Sequence, residues 1–431
     1  MQSQRQNNDP FDKSSRFDWA TIIIYMVLVL FGWISIYAAV YNPEHSSILD
    51  IDMSYGRQVI WISLSLIVAG AILLTDPKFL NAFAYVIYGA IIISLLGVLV
   101  VGSVTSGAKA WFEIGPFKFQ PAEFAKFGAA LALAKYLGTY EVNFKELKTK
   151  VISFAIFLLP MALILLQNDT GSALVFSAFI LVLYREGLNG IWLAIGLIAA
   201  ILFILTLLMD PVILIGAIVL LGIIIYFFIR GNKSATLFLV LTVIISVGMI
   251  VSVDYIFNDV LQPHQTQRIN VLLGKEIDLK GAGYNVHQSK IAIGSGGFFG
   301  KGFLQGTQTK FDFVPEQETD FIFCTIGEEW GFVGTFIVIS LFIALFVRII
   351  NIAERQKTKF NRIYAYSVAC ILFFHFAVNI SMTIGLFPVI GIPLPFFSYG
   401  GSSLLGFTIL LFIMIRLDAN RFNEMKRAFD Y

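Results

Sequence analysis

Long apolar segments, separated by short polar stretches, dominate the chain. A helix needs about 20 mainly apolar residues to cross a hydrocarbon core of about 30 Å. By this measure the sequence predicts about twelve membrane-spanning helices, of which the sixth is the shortest. In chain order they cover residues 19–40, 56–75, 80–102, 121–138, 150–167, 170–185, 189–209, 211–230, 235–257, 320–348, 362–386 and 395–418. The pattern predicts an all-α polytopic membrane protein, with one transmembrane domain over residues 19–418 that includes a long polar loop at 258–319.

The composition agrees with this class. The chain is 58% hydrophobic and 13% charged, with a mean hydropathy of +0.81, whereas about a quarter of the residues of a typical soluble domain are charged. It has no basic tract or nucleic-acid motif, so no nucleic-acid partner is expected. Cys324 and Cys370 both fall in apolar segments, which argues against a disulfide framework or a cysteine-based metal site.

The basic residues indicate the orientation, because they accumulate in cytoplasmic loops. With the N-terminus inside, the even-numbered loops and the two tails carry Arg16, Lys78, Lys145, Lys148, Lys150, Arg185, Arg230, Lys233, Arg355, Lys357, Lys359, Arg362, Arg421, Lys426 and Arg427. The first outer loop instead carries Glu44, Asp50 and Asp52. The tails 1–18 and 419–431 are therefore expected in the cytoplasm, and the loop 258–319 on the outer face.

Several polar residues lie where the membrane makes them costly, since a charge at the middle of a span costs about 2.5–3.5 kcal/mol on insertion scales. Glu123 and Lys126 are three residues apart on one helix face and can pair. The pair is either a structural ion pair or the wall of a cavity in which Lys126 meets an anionic group. Lys109 lies in the preceding outer loop, which reads as an amphipathic rim. Asp169 is best explained as the cap of the sixth helix.

The later polar positions also have two interpretations each. His375 and Asn379 share one helix face. An interhelical hydrogen bond explains them about as well as a functional role does. The glycine-rich stretch 294–302 lacks the spacing of a P-loop and is either a surface turn or an anion site, for which Arg268 and Lys301 are candidate ligands.

Two further segments stand at the predicted outer boundary. Thr319 and Asp320 both suit the N-cap of the tenth helix, and residue types alone favour that interpretation. The Pro- and Gly-broken stretch 391–403, which contains Ser398, is tolerated at membrane depth only when it is buried in protein or lines a cavity. It is therefore expected to face the outer vestibule.

Ordered blocks of the sequence match the motifs of a known family. The blocks are Gln120–Lys126, Gly281–Tyr284, Gln288–Gly297, Gly300–Gly302, Gly306–Gln308, Pro315–Glu316, Thr319–Phe323, Gly327–Glu329, Pro393–Pro395 and Ser398–Ser402. With them the chain resembles the SEDS family (shape, elongation, division and sporulation), the membrane peptidoglycan polymerases that include RodA and FtsW. The blocks Gly306–Gln308 and Pro393–Pro395 are more similar to the RodA branch than to the division branch.

The resemblance implies the fold, a SEDS-type helical bundle, and the reaction. Lipid II, the undecaprenyl-pyrophosphate-linked disaccharide-pentapeptide, would be polymerised into glycan strands for cell elongation. Polymerisation would take place on the outer face of the bacterial cytoplasmic membrane and would release undecaprenyl pyrophosphate. Asp320 would be the catalytic base that deprotonates the attacking sugar hydroxyl. The implied substrate-binding residues are Glu123, Lys126, Arg268, Lys301, Asp169, Lys109 and Ser398.

Among these residues Lys126, Arg268 and Lys301 would stabilise the leaving diphosphate electrostatically. The resemblance also implies a class B penicillin-binding protein transpeptidase as partner, besides the membrane lipids. No cofactor is implied with certainty, and a divalent cation at the diphosphate is left open.

Three features depart from the family pattern. Family members have about ten spans of the length a bilayer requires, so an extra pair is expected between residues 189 and 257. Ala110 occupies a position that is often basic, and Lys109 is the candidate replacement. The arginine-rich motif before the outer loop is reduced to Gln265–Arg268, with a single arginine.

Other function classes remain open at this stage. A flippase for the same lipid-linked precursor would explain many spans and broken helices, but it has no need of an outer carboxylate. A division-branch, FtsW-like polymerase would share the chemistry. A scaffold that only recruits other wall enzymes leaves Glu123, Lys126 and Asp320 unexplained.

Overall fold

The structure is a computed structural model, and it describes residues 17–41, 47–105, 107–115, 117–139, 142–260, 266–267, 269–270, 273, 282–310 and 313–421. Part of the predicted outer loop, including the candidate Arg268, lies outside the described residues.

Helices make up most of the described chain. They are α1 (Trp19–Ala39), α2 (Ser54–Leu74), α3 (Pro77–Val101), α4 (Pro121–Leu137), α5 (Leu147–Leu165), α6 (Thr170–Val175), α7 (Phe179–Arg185), α8 (Ile191–Leu208), α9 (Pro211–Ile229), α10 (Lys233–Tyr255), α11 (Ala282–Ser295), α12 (Thr307–Lys310), α13 (Ile322–Glu354), α14 (Lys359–Thr383) and α15 (Gly401–Ala419). The all-α polytopic class predicted from the sequence is confirmed.

Ten helices in the described ranges are long and apolar enough to cross a membrane. Each corresponds to one of the twelve predicted spans. The predicted span 121–138 is the 17-residue helix α4, and the predicted span 170–185 is divided by a 3-10 turn, Phe176–Ala178, into α6 and α7. Both are shorter than the length a straight span requires.

Several helices begin at residues whose side chains cap the first turn. Asp76 and Asp210 each accept a backbone N–H two residues later and precede a proline at the first helical position. That arrangement suits a helix start, because proline lacks the N–H that would otherwise be unpaired there. Asn232 and Thr358 also cap helices, α10 and α14, by accepting backbone N–H groups of the first turn, but no proline follows them.

A small antiparallel sheet connects α3 to α4, where the sequence suggested only an amphipathic rim. Its strands are β1 (Ser103–Thr105), β2 (Ala108–Ile114) and β3 (Phe117–Phe119), in the order β1-β2-β3. Two of the strands have only three residues, too few for an alternating pattern to identify them from sequence.

The chain forms two compact units, Met1–Glu186 with Val286–Tyr431, and Gly187–Asn285. In the first unit α4 packs against α3 and α14, α15 against α2, and α13 against α1 and α14. In the second, α10 packs against α8 and α9. The prediction of one transmembrane domain over residues 19–418 stays a prediction.

An ionic network with buried carboxylates and partly exposed arginines joins three helix ends of the first unit. Asp18 caps α1 through Thr21 N, at 3.0 Å, and accepts from Arg348 at 2.6 Å and from Arg355 at 2.9 Å. Arg355 also binds Asp418, near the end of α15. Burial raises the pKa of Asp18, but the hydrogen bonds from Thr21 and Arg355 outweigh it, so the pKa is lowered overall.

Candidate active site

The pair Glu123–Lys126 on α4 is closed and buried. Lys126 Nζ lies 2.7 Å from Glu123 Oε2, and the side chains are 2% and 3% exposed. Lys126 Nζ also lies 3.0 Å from His375 Nε2 and 4.4 Å from the centre of the Phe407 ring. The predicted pairing of Glu123 and Lys126 is therefore confirmed, and the ammonium has partners on α4, α14 and α15.

His375 and Asn379 connect α14 to the broken segment and to Asp320. His375 Nδ1 lies 3.3 Å from Pro393 O. One turn later, Asn379 Nδ2 donates to Asp320 O at 2.9 Å and to Ile392 O at 2.8 Å. The interhelical hydrogen-bond interpretation is confirmed for His375, which meets Lys126 of α4, whereas Asn379 bonds non-helical backbone and so fixes the backbone of the predicted catalytic residue.

Asp320 is not the N-cap of α13. That position belongs to Phe321, which makes no side-chain capping bond, while the Thr319 hydroxyl donates to Glu316. The N-cap interpretation of Thr319 and Asp320 is wrong, because the chain makes a turn over residues 316–321 before the helix starts. The carboxylate of the half-buried Asp320 lies beside Gly391, where an added Cβ would be 3.5 Å from Asp320 Oδ2.

The broken segment 391–400 is held by its own hydrogen bonds. Ser398 is buried, and its Oγ accepts from Leu394 N at 2.9 Å. Gly391 and Phe396 both have positive φ, 72° and 63°. Irregular backbone at membrane depth requires such internal partners, so the predicted ligand Ser398 has a structural contact here.

Asp169 caps α6, as the sequence suggested, by accepting from Ser172 N at 2.9 Å. Its second oxygen accepts from Gln120 Nε2 at 2.8 Å, which links α6 to the start of α4. Gln120 N in turn donates to Ser402 Oγ at 3.2 Å. Asp169 also interacts electrostatically with Lys126, so this predicted ligand does lie near the α4 pair.

Two predicted cationic ligands are engaged elsewhere. Lys109 Nζ donates to Leu99 O and Val100 O, at 2.9 and 3.0 Å, and so satisfies carbonyls at the end of α3. Lys301 Nζ lies 2.6 Å from Glu328 Oε1, with side-chain exposures of 26% and 0%. The structure does not bring either of them to Lys126 or Asp320 through any of these contacts.

Two charged residues connected to the segment around Asp320, Glu318 and Arg57, were missed as site candidates. Glu318 accepts from Ser54 Oγ at 2.8 Å, and its carbonyl accepts from Tyr399 N at 2.8 Å. The exposed Arg57, on the first turn of α2, has its guanidinium 6.0 Å from the centre of the Tyr399 ring. An arginine at a helix start, on the predicted outer face, was the available signal. Its neighbours are distant in sequence, so sequence alone could not place it.

No group of three or more His, Cys, Asp and Glu side chains suited to a metal ion occurs among the described residues. Of the charged groups described above, Lys126 is paired with Glu123 and Lys301 with Glu328. The arrangement offers a half-buried carboxylate on a fixed backbone, an ion pair that α14 connects to it through His375 and Asn379, and an exposed guanidinium.

Comparisons with known proteins give consistent matches over most of the chain. The profile of the family of FtsW, RodA and SpoVE, described as "Cell cycle protein", matches residues 18–215 and 198–423. Peptidoglycan glycosyltransferase MrdB of Escherichia coli (strain K12) is 33% identical, over 94% of this chain and 96% of that protein. Peptidoglycan glycosyltransferase RodA of Treponema pallidum (strain Nichols) is 31% identical, over 94% and 98%. One solved structure superposes on this chain with a TM-score of 0.69. It is described as "Structural coordination of polymerization and crosslinking by a peptidoglycan synthase complex". It is 27% identical, covering 94% of this chain and 98% of that chain.

Proposed function

Because the chain belongs to the cell cycle protein family of FtsW, RodA and SpoVE, we propose that Asp320 is the general base of its polymerisation reaction. The chain is a RodA-like peptidoglycan glycosyltransferase that polymerises lipid II into glycan strands for cell elongation. The reaction joins two lipid-linked sugars: a hydroxyl of one attacks the anomeric carbon of the other, and undecaprenyl pyrophosphate leaves.

The surroundings of Asp320 support its role as base. A general base must reach the proton it removes, within hydrogen-bond distance or through one water. The side chain is half-buried, so one part is accessible, while Asn379 holds the backbone on the other side. Gly391 leaves the space beside the carboxylate open, because it has no Cβ. This combination of a fixed backbone and an accessible carboxylate is the observation that carries the proposal.

The charge that develops on the leaving diphosphate needs cations. Lys126 is 1% exposed, so we assign it a role in the fixed field of the site instead of a direct contact. Arg57 is exposed, with its guanidinium 6.0 Å from the centre of the Tyr399 ring, and we propose it as the cation that meets a phosphate directly. Arg268 and Lys301 stay predictions, the first outside the described residues and the second paired with Glu328. A divalent cation, if the reaction uses one, would be bound mainly by the diphosphate oxygens of the substrate.

The chain is a multi-pass membrane protein, and we place both its termini in the cytoplasm. Contacts in the first unit support this orientation. Asp18, Arg348, Arg355 and Asp418 meet at one end of α1, α13 and α15, whereas Asp320 lies at the other end of α13. With the termini in the cytoplasm, the proposed base would lie on the outer face of the bacterial cytoplasmic membrane, where lipid II is expected to be used.

We also propose a class B penicillin-binding protein transpeptidase as partner. The matching solved chain belongs to a complex that coordinates polymerization and crosslinking. The lone chain should then be weakly active, and addition of the partner should raise its rate of glycan synthesis. Full activity of the lone chain would contradict the partner proposal while leaving the assignment of Asp320 intact.

Substitution of Asp320 by Asn tests the base directly. Asn has nearly the same shape but cannot accept a proton, so the rate of glycan-strand formation should fall by about 10²–10⁴-fold. Purified protein would be incubated with lipid II and the glycan strands separated on a gel. Asp52→Asn, an exposed change on the same predicted face, serves as the matched control and should leave the rate unchanged. A normal rate for Asp320→Asn would end the assignment.

A further inference from the structure

His375 is a buried titratable side chain that takes no part in the proposed reaction. It is 1% exposed and meets three different elements. Nε2 lies 3.0 Å from Lys126 Nζ on α4, and Nδ1 lies 3.3 Å from Pro393 O on the broken segment. The ring packs edge-on against Phe407 of α15, with 4.7 Å between the ring centres.

The two nitrogen contacts determine where the ring proton lies. A carbonyl oxygen only accepts, so Nδ1 must carry the hydrogen that faces Pro393. An ammonium only donates, so Nε2 must present its lone pair to Lys126. The opposite tautomer would set two donors against each other at Lys126 and two acceptors against each other at Pro393. A doubly protonated ring would place two cations 3.0 Å apart.

We propose that His375 is a positioning residue: as the neutral Nδ1–H tautomer, it holds the Lys126 ammonium and the Pro393 carbonyl at one point. Asn379 follows one turn later on the same face and holds Asp320 and Ile392. Four residues correspond to a rise of about 6 Å along the helix. One turn of α14 therefore sets the distance between the Glu123–Lys126 pair and the proposed base. This role in catalysis rests on the proposed function, whereas the tautomer does not.

The tautomer is tested in the full-length protein without any enzymatic assay. The chain has four histidines, so His45, His264 and His287 would be replaced by Asn and the remaining ring labelled with the heavy nitrogen isotope. Nuclear magnetic resonance in lipid nanodiscs at neutral pH should report one neutral imidazole with its proton on Nδ1. A proton on Nε2, or a doubly protonated ring, overturns the proposal.

The positioning role is tested by two substitutions in the wild-type background. His375→Phe keeps an aromatic ring and loses both polar contacts, so kcat should fall on the order of 100-fold, the effect of a misplacement of about 1 Å. KM for lipid II should stay within about twofold, because a side chain that is 1% exposed makes no direct contact with substrate. His375→Gln offers an acceptor and a donor on one amide and should recover part of the lost kcat.

The outcomes separate this proposal from the assignment of Asp320. A wild-type kcat for His375→Phe, or equal losses in the Phe and Gln variants, would refute the positioning role. An active Asp320→Asn enzyme would refute the base and leave the tautomer standing. Should His375→Phe fail to fold, the resonance measurement on the single-histidine protein still decides the tautomer.

Discussion

The carboxylate of Glu328 holds the start of α12 through a set of hydrogen bonds. Replacing one of its two oxygens by an NH2 group should weaken this set. Its Oε1 accepts from Lys301 Nζ at 2.6 Å, from Thr307 N at 2.8 Å, from Thr307 Oγ1 at 3.2 Å and from Gln308 N at 2.9 Å. Its Oε2 accepts from Thr309 N and Thr309 Oγ1, both at 2.9 Å. All six donors converge on a carboxylate that is fully buried.

Glu328→Gln replaces one acceptor oxygen by an NH2 donor at nearly constant volume. Even with the amide oxygen in the better position, the NH2 group faces the buried Thr309 N–H, and Lys301 loses its counter-charge. A hydrogen bond to a charged group contributes about 1.5–3 kcal/mol, and breaking a buried ion pair costs about 3–5 kcal/mol. Lys301 is partly exposed, so about 3 kcal/mol is expected, which corresponds to roughly 100-fold more frequent local opening.

Hydrogen–deuterium exchange of the purified protein measures this opening. Peptides covering residues 301–310 should exchange faster in Glu328→Gln, while those from α4 and α14 should not change. Glu316→Gln removes the charge of an exposed glutamate in the following turn and is the matched control. Unchanged exchange over residues 301–310 in Glu328→Gln would show that the carboxylate does not anchor this segment.

Two further predictions concern the site and the ionic network. Gly391→Ala places a Cβ at a φ of 72°, where an L-residue costs roughly 1–2 kcal/mol, and sets it beside Asp320. Both the thermal midpoint and the polymerisation rate should fall, and a variant with unchanged values of both would contradict the geometry. The lowered pKa of Asp18 means that its carboxylate stabilises the fold fully above its unfolded value, near 3.8, and that this contribution is lost as the pH falls through the folded value. Asp18→Asn should therefore lower the thermal midpoint at neutral pH, and the gap between wild type and variant should shrink in acid. A gap that does not change with pH would contradict this role of Asp18.

Features that depend on neighbours in sequence were predictable. Apolar length identified the membrane class and all ten helices of spanning length among the described residues, because a bilayer imposes that length locally; it also predicted two spans, 121–138 and 170–185, whose helices are shorter. The Glu123–Lys126 pair follows from a spacing of three residues on a helix, and the Asp169 cap follows from its place before α6. Each of these contacts joins residues three positions apart.

Features that depend on packing were not predictable. His375 meets Lys126 across 249 residues, and Asn379 meets Asp320 across 59. Nothing in the local pattern around Lys301 or Lys109 shows that a buried glutamate or the end of α3 would take up the ammonium. The N-cap interpretation of Asp320 failed for a related reason. The turn over residues 316–321 is set by contacts with α2 and the broken segment, and capping preferences do not include those contacts.

The burial of Lys126 follows from the energetics of charge in a membrane. An isolated buried charge is costly, and it becomes tolerable only with a partner and with hydrogen bonds for its remaining protons. Glu123 supplies the opposite charge, while His375 and the Phe407 ring take the remaining directions of the ammonium. Such a group cannot turn toward a substrate without leaving Glu123 unpaired. Its effect on the reaction must therefore be exerted from a fixed position, and the residues that fix it matter as much as the charge itself.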